Sequence, residues 1–137
     1  MKPRFVVDKS ALARMALAPV RSRLEPIIEA GEAATCAIID LEVLYSARND
    51  QEYRKILRRR ELAYASVEIS EQTLRRAIQI QEELARRGQH RIPIPDLIIA
   101  AAAESGGLIV LHYDADFDRI ARVTGQPMEW VVKRGSV

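Results

Sequence analysis

Short apolar runs alternate with helical segments along the chain, and this alternation is the feature that most restricts its fold. The runs "FVV", "ATCAII" and "LIVL" have the length and composition of buried strands. Segments with apolar residues at three- and four-residue spacing follow them, as in amphipathic helices. This order predicts an α/β fold in which helices flank a parallel β-sheet. At 137 residues, we expect one domain spanning residues 1–137.

The segment boundaries follow from the apolar spacing and from residues that begin or end helices. Pro19 and Pro95 suit the first turn of a helix, and Ser70 suits a helix N-cap. Pro26 falls inside a predicted helix and could break it. The predicted strands are residues 5–7, 34–39, 63–69, 108–111 and 129–132, and the predicted helices are residues 9–17, 19–30, 40–49, 50–62, 71–87, 95–105 and a short one within 112–125.

Apolar stripes on these helices predict which faces pack into the core. Residues 96–105 are apolar nearly all round, which predicts a helix that is buried on most sides. Asp50 is the expected N-cap of the basic helix that follows it. The predicted stripes are Leu41, Leu44 and Tyr45 on the third helix, Tyr53, Ile56 and Leu57 on the basic helix, and Leu74, Ala77, Ile78, Gln81 and Ala85 on the long helix.

The composition excludes several classes of protein. Hydrophobic residues make up 48% and charged residues 29% of the chain, which is typical of a folded globular protein. No run approaches the ~20 apolar residues that span a bilayer. Asp8 also interrupts the N-terminus before a signal-like run develops, so we expect a cytoplasmic protein. Cys36 is the single cysteine, which excludes an internal disulfide and a Cys-based zinc cluster and predicts a buried side chain.

Basic residues are concentrated between positions 52 and 91, although the net charge of the chain is only +2. A local basic surface suits binding to a nucleic-acid backbone. A solvated, arginine-rich helix face explains the same charges equally well. The candidates for RNA phosphate contacts are Arg54, Arg58, Arg59, Arg86 and Arg87.

Acidic residues follow the predicted strands at comparable places. Asp8 closes the first strand, and Asp114 follows the "LIVL" strand with Asp116 two residues later. Asp96 opens a helix after an extended segment, and Glu42 lies one turn into the helix that follows the second strand. Because ligands bind at the carboxyl ends of parallel strands, we expect these side chains to share one edge of the sheet.

Carboxylates that converge in this way repel each other unless a cation neutralises them. Oxygen ligands without an accompanying His or Cys set favour magnesium or manganese over zinc. Such an ion can activate water and stabilise the leaving oxygen of a phosphodiester. Each acid also has a structural interpretation, with Asp8 as a helix N-cap, Asp96 beside a helix dipole and Asp114 in a turn.

Four motifs of the chain resemble those of PIN-domain ribonucleases, and specifically those of VapC toxins from bacterial toxin–antitoxin pairs. They are "FVVDKSAL", "DLEVLYSAR", "IPDLIIAAAA" and "LHYDADFDRIA", which occur in this order over one domain. The resemblance implies a PIN-like single domain and a Mg²⁺-dependent endoribonuclease, with Mn²⁺ as a possible substitute. Hydrolysis would use a metal-activated water.

The resemblance also assigns roles to the acidic residues. Asp8 and Asp96 would be the principal metal ligands. Asp114, with Asp116 as a less uniform fifth acid, would position the ion or the attacking water. Glu42 would act through metal-bound water.

Two further residues stand beside these motifs. Ser10 falls where PIN-domain proteins often carry a hydroxyl that supports the site. His112 departs from the family pattern, since many members have Thr or Ser there, and we expect it to have a structural role because the four-acid mechanism needs no histidine.

The family resemblance implies partners in addition to RNA. VapC-like toxins usually pair as homodimers and are inhibited by a VapB antitoxin, whose C-terminal segment lies across the active-site groove. Candidate docking surfaces are the first helices, with Leu12, Met15 and Leu17, and the basic helix over residues 53–62. The alternative is that these apolar residues belong to the core.

Other function classes fit the sequence less well. A haloacid dehalogenase-type phosphatase needs a second Asp two residues after the first, where this chain has Ser10. A receiver domain needs a phosphoacceptor Asp after a central strand, and residues 63–69 and their flank lack one. A non-catalytic RNA- or protein-binding PIN module would be expected to have lost at least one acid. A DNA-directed nuclease is chemically close, because a metal acts on the phosphate and does not need the 2'-hydroxyl.

Overall fold

The computed structural model describes residues 2–137, which form five strands and seven helices. Within these residues, no helix combines the length and the apolar character needed to cross a membrane. The elements are β1 (Phe5–Val7), α1 (Lys9–Leu12), α2 (Ala18–Glu29), β2 (Ala33–Cys36), α3 (Ala37–Tyr45), α4 (Asp50–Ala63), β3 (Ala65–Val67), α5 (Glu71–Ala85), α6 (Ile94–Gly106), β4 (Ile109–His112), α7 (Asp116–Thr124) and β5 (Met128–Trp130).

The five strands form one parallel sheet in the order β3-β2-β1-β4-β5, which confirms the predicted α/β class. The central strand is β1, in which Val6 pairs with Ala34 on one side and with Val110 on the other. The "LIVL" segment, which we expected to be the most central, supplies the interior strand β4. The ends of β1 and β4 are therefore adjacent, and so are Asp8 and the Asp114 turn that follow them.

Apolar side chains pack on both faces of the sheet, because alternate residues of a strand point to opposite sides. Val6 belongs to the cluster under α3, α5, α6 and α7, and Phe5 and Val7 belong to the cluster under α1 and α2. Helix α6 is buried on most sides as predicted, with Ala100 to Ala103 almost fully inaccessible. Cys36 is also buried, as its apolar neighbours predicted.

Local capping signals place most helix ends close to their predicted positions. The side chains of Ser70 and Thr73 form a reciprocal capping box at the start of α5. Gly107, with a φ of 67°, ends α6 in the left-handed conformation. The predicted N-cap of α4 is wrong by one residue, because the side chain of Asn49, and not that of Asp50, accepts a hydrogen bond from the Glu52 N–H (2.8 Å).

Several predicted elements are shorter in the structure. The apolar run over residues 34–39 ends as a strand at Cys36, and its last three residues open α3. A short apolar run fits a buried strand and a buried helix equally well, so its periodicity alone cannot place the boundary. The strand predicted over residues 63–69 covers only Ala65–Val67, and the helix predicted over residues 9–17 forms a single turn at Lys9–Leu12.

Two predicted core faces lie largely at the surface. On α3, Leu41 and Tyr45 are 61% and 89% exposed, and only Leu44 of the predicted stripe is buried. On α5, Leu74 and Ile78 are exposed, while Thr73, Ala77, Ile80 and Leu84 face the core. The apolar surface of α5 is wider than the strip that α6 and α7 cover, so part of it remains accessible. Helix α2, in contrast, passes through Pro26 without a break.

Candidate metal centre

Asp8 is held firmly at the carboxyl end of β1. Its backbone N–H donates to the Leu111 carbonyl (2.9 Å), which joins it to β4. Its Oδ2 atom accepts hydrogen bonds from the backbone N–H (2.9 Å) and the hydroxyl (2.6 Å) of Ser10. Burial raises the pKa of the Asp8 carboxyl, the two bonds from Ser10 oppose this rise, and the charge of Asp114 adds to it. Asp8 therefore keeps the N-cap role that the sequence suggested. It also lies at the edge of the sheet that we call the acidic edge, which comprises Asp8, Glu42, Asp96, Asp114 and Asp116.

Asp96 is the most perturbed acid of the group. It lies in the first turn of α6, is only 8% exposed, and its Oδ2 atom is buried without a hydrogen-bond partner among residues 2–137. Burial raises the pKa of Asp96 to about 8, and the negative charges of Asp8, Asp114, Asp116 and Glu42 contribute to the rise. A buried carboxylate oxygen without a hydrogen-bond partner is unfavourable, and this one also faces like charges, so Asp96 is suited to be the ligand of a cation.

Asp114 lies in the turn between β4 and α7, and Asp116 is the first residue of α7. One oxygen of Asp114 accepts the Asp116 N–H (2.9 Å), and Asp116 forms an ion pair with Arg119 (2.6 Å). Asp96, Asp114 and Asp116 each present a carboxylate oxygen, and these three oxygens lie within 4.8 Å of one another. The acids that the sequence placed on separate segments thus meet in one cluster.

Glu42 completes the acidic edge from α3. Its side chain is partly buried, and burial followed by the charge of Asp8 raises its pKa, while Lys9 lowers it. The charge of Asp8 raises the pKa of Glu42, and the charge of Glu42 raises the pKa of Asp96, so Glu42 lies within electrostatic range of both carboxylates. Asp8 and Glu42 nevertheless stand outside the tight group of Asp96, Asp114 and Asp116.

The donor atoms of this edge fit a hard divalent cation. They are carboxylate oxygens from four segments, and the raised pKa values of Asp8, Asp96 and Glu42 reflect burial together with mutual repulsion that a cation would relieve. Magnesium and manganese prefer such oxygen ligands, whereas zinc favours His and Cys. Asp8, Asp96 and Asp114 are the predicted ligands, with Asp116 as the less uniform fifth acid, and the structure groups the oxygens of Asp96, Asp114 and Asp116.

His112 supports the turn that carries Asp114. The imidazole is fully buried, with its ring centroid 5.0 Å from those of Phe117 and Trp130. Burial lowers the pKa of His112 to about 4, so the ring is neutral at physiological pH. Its Nδ1 atom accepts the backbone N–H of Asp114 (3.1 Å), which places the remaining proton on Nε2. These contacts give His112 a packing and positioning role.

The predicted phosphate-binding arginines differ in their surroundings. Arg54 pairs with Asp50 (3.1 Å), and Arg86 pairs with Glu82 and Glu83. Arg58, Arg59 and Arg87 are exposed, and no carboxylate of residues 2–137 lies within salt-bridge distance of them. Helix α5 runs antiparallel to α6, since Arg76 in the second turn of α5 pairs with Glu104 near the end of α6. Arg86 and Arg87 follow the last residue of α5, so they lie toward the end of α6 that carries Asp96.

One buried polar group escaped the sequence analysis. Arg60 is 7% exposed and donates from Nε to Asp40 Oδ1 (2.8 Å) and from Nη2 to Thr35 Oγ1 (2.9 Å). Its guanidinium also lies 4.5 Å from the Tyr64 ring centroid. The spacing along α4 could have predicted this burial, because Arg60 falls on the same stripe of the helix as Ile56, four residues earlier. The group ties α4 to β2 and to the helix that carries Glu42.

Comparisons with known proteins agree with this architecture. The sequence model of the PIN domain family matches residues 5–123. Ribonuclease VapC51 of Mycobacterium tuberculosis is 46% identical over 140 residues, covering 100% of this chain and 99% of that protein. Ribonuclease VapC21 of the same species is 48% identical over 137 residues, covering 99% of both.

Solved structures show the same fold at low sequence identity. A chain in the crystal structure of VapBC2 from Rickettsia felis, bound to a DNA fragment from their promoter, matches with a TM-score of 0.75 at 16% identity, covering 94% of this chain and 98% of that one. A chain of VapBC-1 from nontypeable Haemophilus influenzae matches with a TM-score of 0.73 at 18% identity, covering 97% and 100%. From its sequence, its sheet and its near full-length relatives, the chain belongs to the PIN-domain family and, within it, to the VapC ribonucleases.

Proposed function

We propose that this chain is a Mg²⁺-dependent endoribonuclease that hydrolyses RNA phosphodiester bonds as the toxin of a type II toxin–antitoxin pair. The observation that carries the proposal is Asp96, a buried and unpartnered carboxylate whose pKa is raised to about 8 beside four other acids. A single PIN-like domain over residues 1–137 would act in the cytoplasm, where its RNA substrate is found. The naming of near full-length relatives as ribonucleases supports the activity.

The residues of the acidic edge have two roles in this proposal, which are to bind the cation and to accept a proton. Asp8, Asp96 and Asp114 would hold Mg²⁺, or Mn²⁺ in its place, and Asp116 is close enough to assist. A bound divalent ion lowers the pKa of a water ligand and offsets negative charge on the phosphate. Ser10 keeps Asp8 oriented through Oδ2, and His112 keeps the Asp114 backbone in place. These supports reduce the reorganisation needed when the substrate binds.

Glu42 is suited to act as the proton acceptor of the site. Its carboxyl is partly buried, and its raised pKa makes it a stronger base than an exposed glutamate. It stands near Asp8 but outside the tight cluster, where it can contact the attacking water without being a cation ligand itself. In this role Glu42 accepts a proton of the attacking water at a carboxylate oxygen as the water oxygen forms its bond to phosphorus. The P–O bond to the 3'-oxygen breaks, and that oxygen leaves as the 3'-hydroxyl after taking a proton from solvent.

Cleavage of a mixed structured-RNA pool with and without Mg²⁺ tests this function, with Asp96→Asn as the inactive control and end-group analysis of the products. Cleavage that needs both Mg²⁺ and Asp96 and leaves 3'-hydroxyl and 5'-phosphate ends supports the proposal. Metal-independent cleavage with cyclic phosphate ends contradicts it. A parallel single-stranded DNA pool of the same lengths identifies a DNA-directed nuclease, and RNA binding without cleavage under any cation identifies a non-catalytic module.

A VapB-like antitoxin is the proposed inhibitor, because the structural neighbours include VapBC complexes. Exposed apolar residues on the first helices and on the α3–α4 hairpin offer it a surface. Leu12 and Met15, which we had considered as docking residues, pack partly against the core, whereas Leu17 is 43% exposed. The accessible apolar residues are Leu17, Leu41, Tyr45, Tyr53 and Leu62. Co-purification with the antitoxin, compared between the native chain and Tyr45→Glu, tests this surface.

A homodimer is the second proposed assembly. The groove between α5 and α6 exposes Ile78 (57%) and Ile94 (65%) over a floor that includes Leu97 and Ile98. An accessible apolar groove of this kind is typical of a protein interface. We expect Ile78→Glu to convert the dimer to a monomer in light scattering, and Leu62→Glu, at a still more exposed position on α4, to leave the mass unchanged. Equal masses for the two variants would contradict this interface.

A further inference from the structure

The C-terminal tail, which we define as residues 131–137, runs beside the acidic edge. It follows β5, and since all five strands are parallel, it begins at the same edge of the sheet as Asp8 and Asp114. Tyr113, the residue before Asp114, holds it in place. The hydroxyl of Tyr113 accepts the Gly135 N–H (2.9 Å) and donates to the Val137 carbonyl (3.1 Å). The tail is therefore connected directly to the turn that presents Asp114.

Tyr113 also connects the tail to Asp8 and to Arg14. The backbone N–H of Tyr113 donates to Ser10 Oγ (2.9 Å), and the Ser10 hydroxyl in turn donates to Asp8. The Arg14 guanidinium stacks over the Tyr113 ring, 4.3 Å from its centroid, and donates to the Ser10 carbonyl (2.8 Å). One residue thus holds the tail, the serine that supports Asp8 and a stacked arginine.

Arg134, in the tail, lies over the Trp130 ring as Arg14 lies over the Tyr113 ring. Its guanidinium carbon lies 5.4 Å from the Trp130 ring centroid, and the Trp130 and Tyr113 rings meet edge to face at 5.2 Å. Arg14 and Arg134 therefore stack on two aromatic rings that contact each other. The Trp130 Nε1–H donates to Asp118 (3.1 Å), which anchors this pair to the first turn of α7.

The charges of Arg14 and Arg134 are free for a ligand. Among residues 2–137, no carboxylate lies within salt-bridge distance of either guanidinium, whereas Arg54, Arg75 and Arg86 each pair with an acid on their own helix. A guanidinium that lies over an aromatic ring presents its N–H groups at its edge, where phosphate oxygens can bind, and Arg14 keeps N–H groups for this beside the one at Nη1 that donates to the Ser10 carbonyl. Two such groups beside a cluster of acids suit a polyanion that crosses the acidic edge.

We propose that Arg14 and Arg134 form a phosphate-binding surface for single-stranded RNA, which positions the backbone of nucleotides next to the scissile bond. This inference rests on the proposed ribonuclease function and adds a binding surface distinct from the candidate phosphate contacts at Arg54, Arg58, Arg59, Arg86 and Arg87. Tyr113 is a positioning residue in it, because its hydroxyl fixes the tail that carries Arg134. Surfaces that bind single-stranded RNA commonly combine arginines at the phosphates with aromatic side chains nearby, and the surface at Arg14 and Arg134 has both.

The test measures RNA binding separately from cleavage. Fluorescence anisotropy of a labelled single-stranded RNA is followed against salt concentration in the Asp96→Asn background, where the strand stays intact. Arg14→Gln and Arg134→Gln are each expected to raise the Kd roughly three- to tenfold. Each should also lower the slope of log K against log salt by about 0.7, the value for one phosphate contact on a single strand.

The matched control is Arg75→Gln, which removes a 70% exposed arginine from α5 and should change neither value. Arg134→Lys keeps the charge and should keep the salt slope of the parent chain, which a purely structural role of Arg134 would not predict. A salt slope that falls equally in Arg134→Lys and Arg134→Gln overturns the proposal. So do Kd values for Arg14→Gln and Arg134→Gln that equal the value for Arg75→Gln.

Failure of this surface can be told apart from failure of the proposed function. If the native chain cleaves RNA with Mg²⁺ and the arginine variants bind as tightly as their parent, only the surface at Arg14 and Arg134 is wrong. If the native chain neither binds nor cleaves RNA, the ribonuclease function itself is wrong, and the surface proposal fails with it. Melting temperatures of all variants, measured in parallel, identify a loss of binding that comes from unfolding.

Discussion

Ser10 holds one carboxylate oxygen of Asp8 with two hydrogen bonds, from its backbone N–H (2.9 Å) and from its hydroxyl (2.6 Å). The same hydroxyl accepts the Tyr113 N–H (2.9 Å) from the β4–α7 connection. A single hydroxyl therefore links the end of β1 to the turn that carries Asp114. Its position fixes the spacing between two of the proposed cation ligands.

Replacing Ser10 by Ala should weaken cation binding while the fold survives. The substitution removes one bond to Asp8 and leaves the Tyr113 N–H without its acceptor, so the two ligand-bearing segments lose their side-chain connection and keep only the backbone pairing of β1 with β4. Groups that orient metal ligands typically contribute about tenfold or more to metal affinity, and we expect a loss of that size. Calorimetric titration with Mn²⁺ measures it. Ser10→Thr should retain most of the affinity, and equal Kd values for Ser10→Ala and the native chain would contradict this role.

The stability of the metal-free protein should fall as the pH rises from about 6.5 to about 8. The pKa of Asp96 is about 8 in the folded chain and near the ordinary aspartate value of 3.8 in the unfolded chain, so the folded state holds an extra proton on Asp96 across this range. Burial lowers the pKa of His112 from 6.5 to about 4, and this group opposes the trend only below about pH 6.5. Stabilisation from protonated Asp96 is complete at low pH and is lost as the pH approaches 8. Urea unfolding in EDTA at several pH values measures the trend. Added Mg²⁺ should restore stability at pH 8, and a free energy of unfolding that rises with pH in EDTA would argue against it.

Asp96→Asn should separate stability from activity. Asparagine has a similar shape without a charge, so the metal-free variant should unfold at a higher temperature than the native chain at pH 8 and lose most of its pH dependence. The same substitution removes a proposed cation ligand, and RNA cleavage should become undetectable. Thermal melts in EDTA and cleavage assays with Mg²⁺ give the two readouts. Asp50→Asn, at an exposed helix start, is the control that should change neither.

Arg60→Met should destabilise the fold by about 3 kcal/mol. The substitution removes the buried guanidinium that pairs with Asp40 and donates a hydrogen bond to Thr35, and it leaves both side chains without that partner. Arg54→Met removes an exposed pair on the same helix and should change the free energy of unfolding by less than about 1 kcal/mol. Chemical unfolding of both variants provides the comparison. Similar values for the two would mean that the buried ion pair contributes no more than a surface one.

The sequence by itself determined the order of elements, many of their ends and the identity of the acidic residues. Alternating apolar runs and helical spacing predicted the parallel sheet, and Ser70, Pro95 and the glycines after α6 placed helix ends, because these signals act over only a few neighbouring residues. Asp8 and Asp114 could be assigned to one edge because parallel strands end on the same side of a sheet.

Only the tertiary structure decided how these segments meet. Burial of Arg60 and exposure of Tyr45 depend on which element packs against each helix face, whereas periodicity shows only that a face is apolar. The central place of β1 depends on pairing between strands far apart in the chain. The raised pKa of Asp96 sums burial with charges from four other acidic residues. Such quantities arise from contacts between distant residues, and local sequence patterns carry no distance between them.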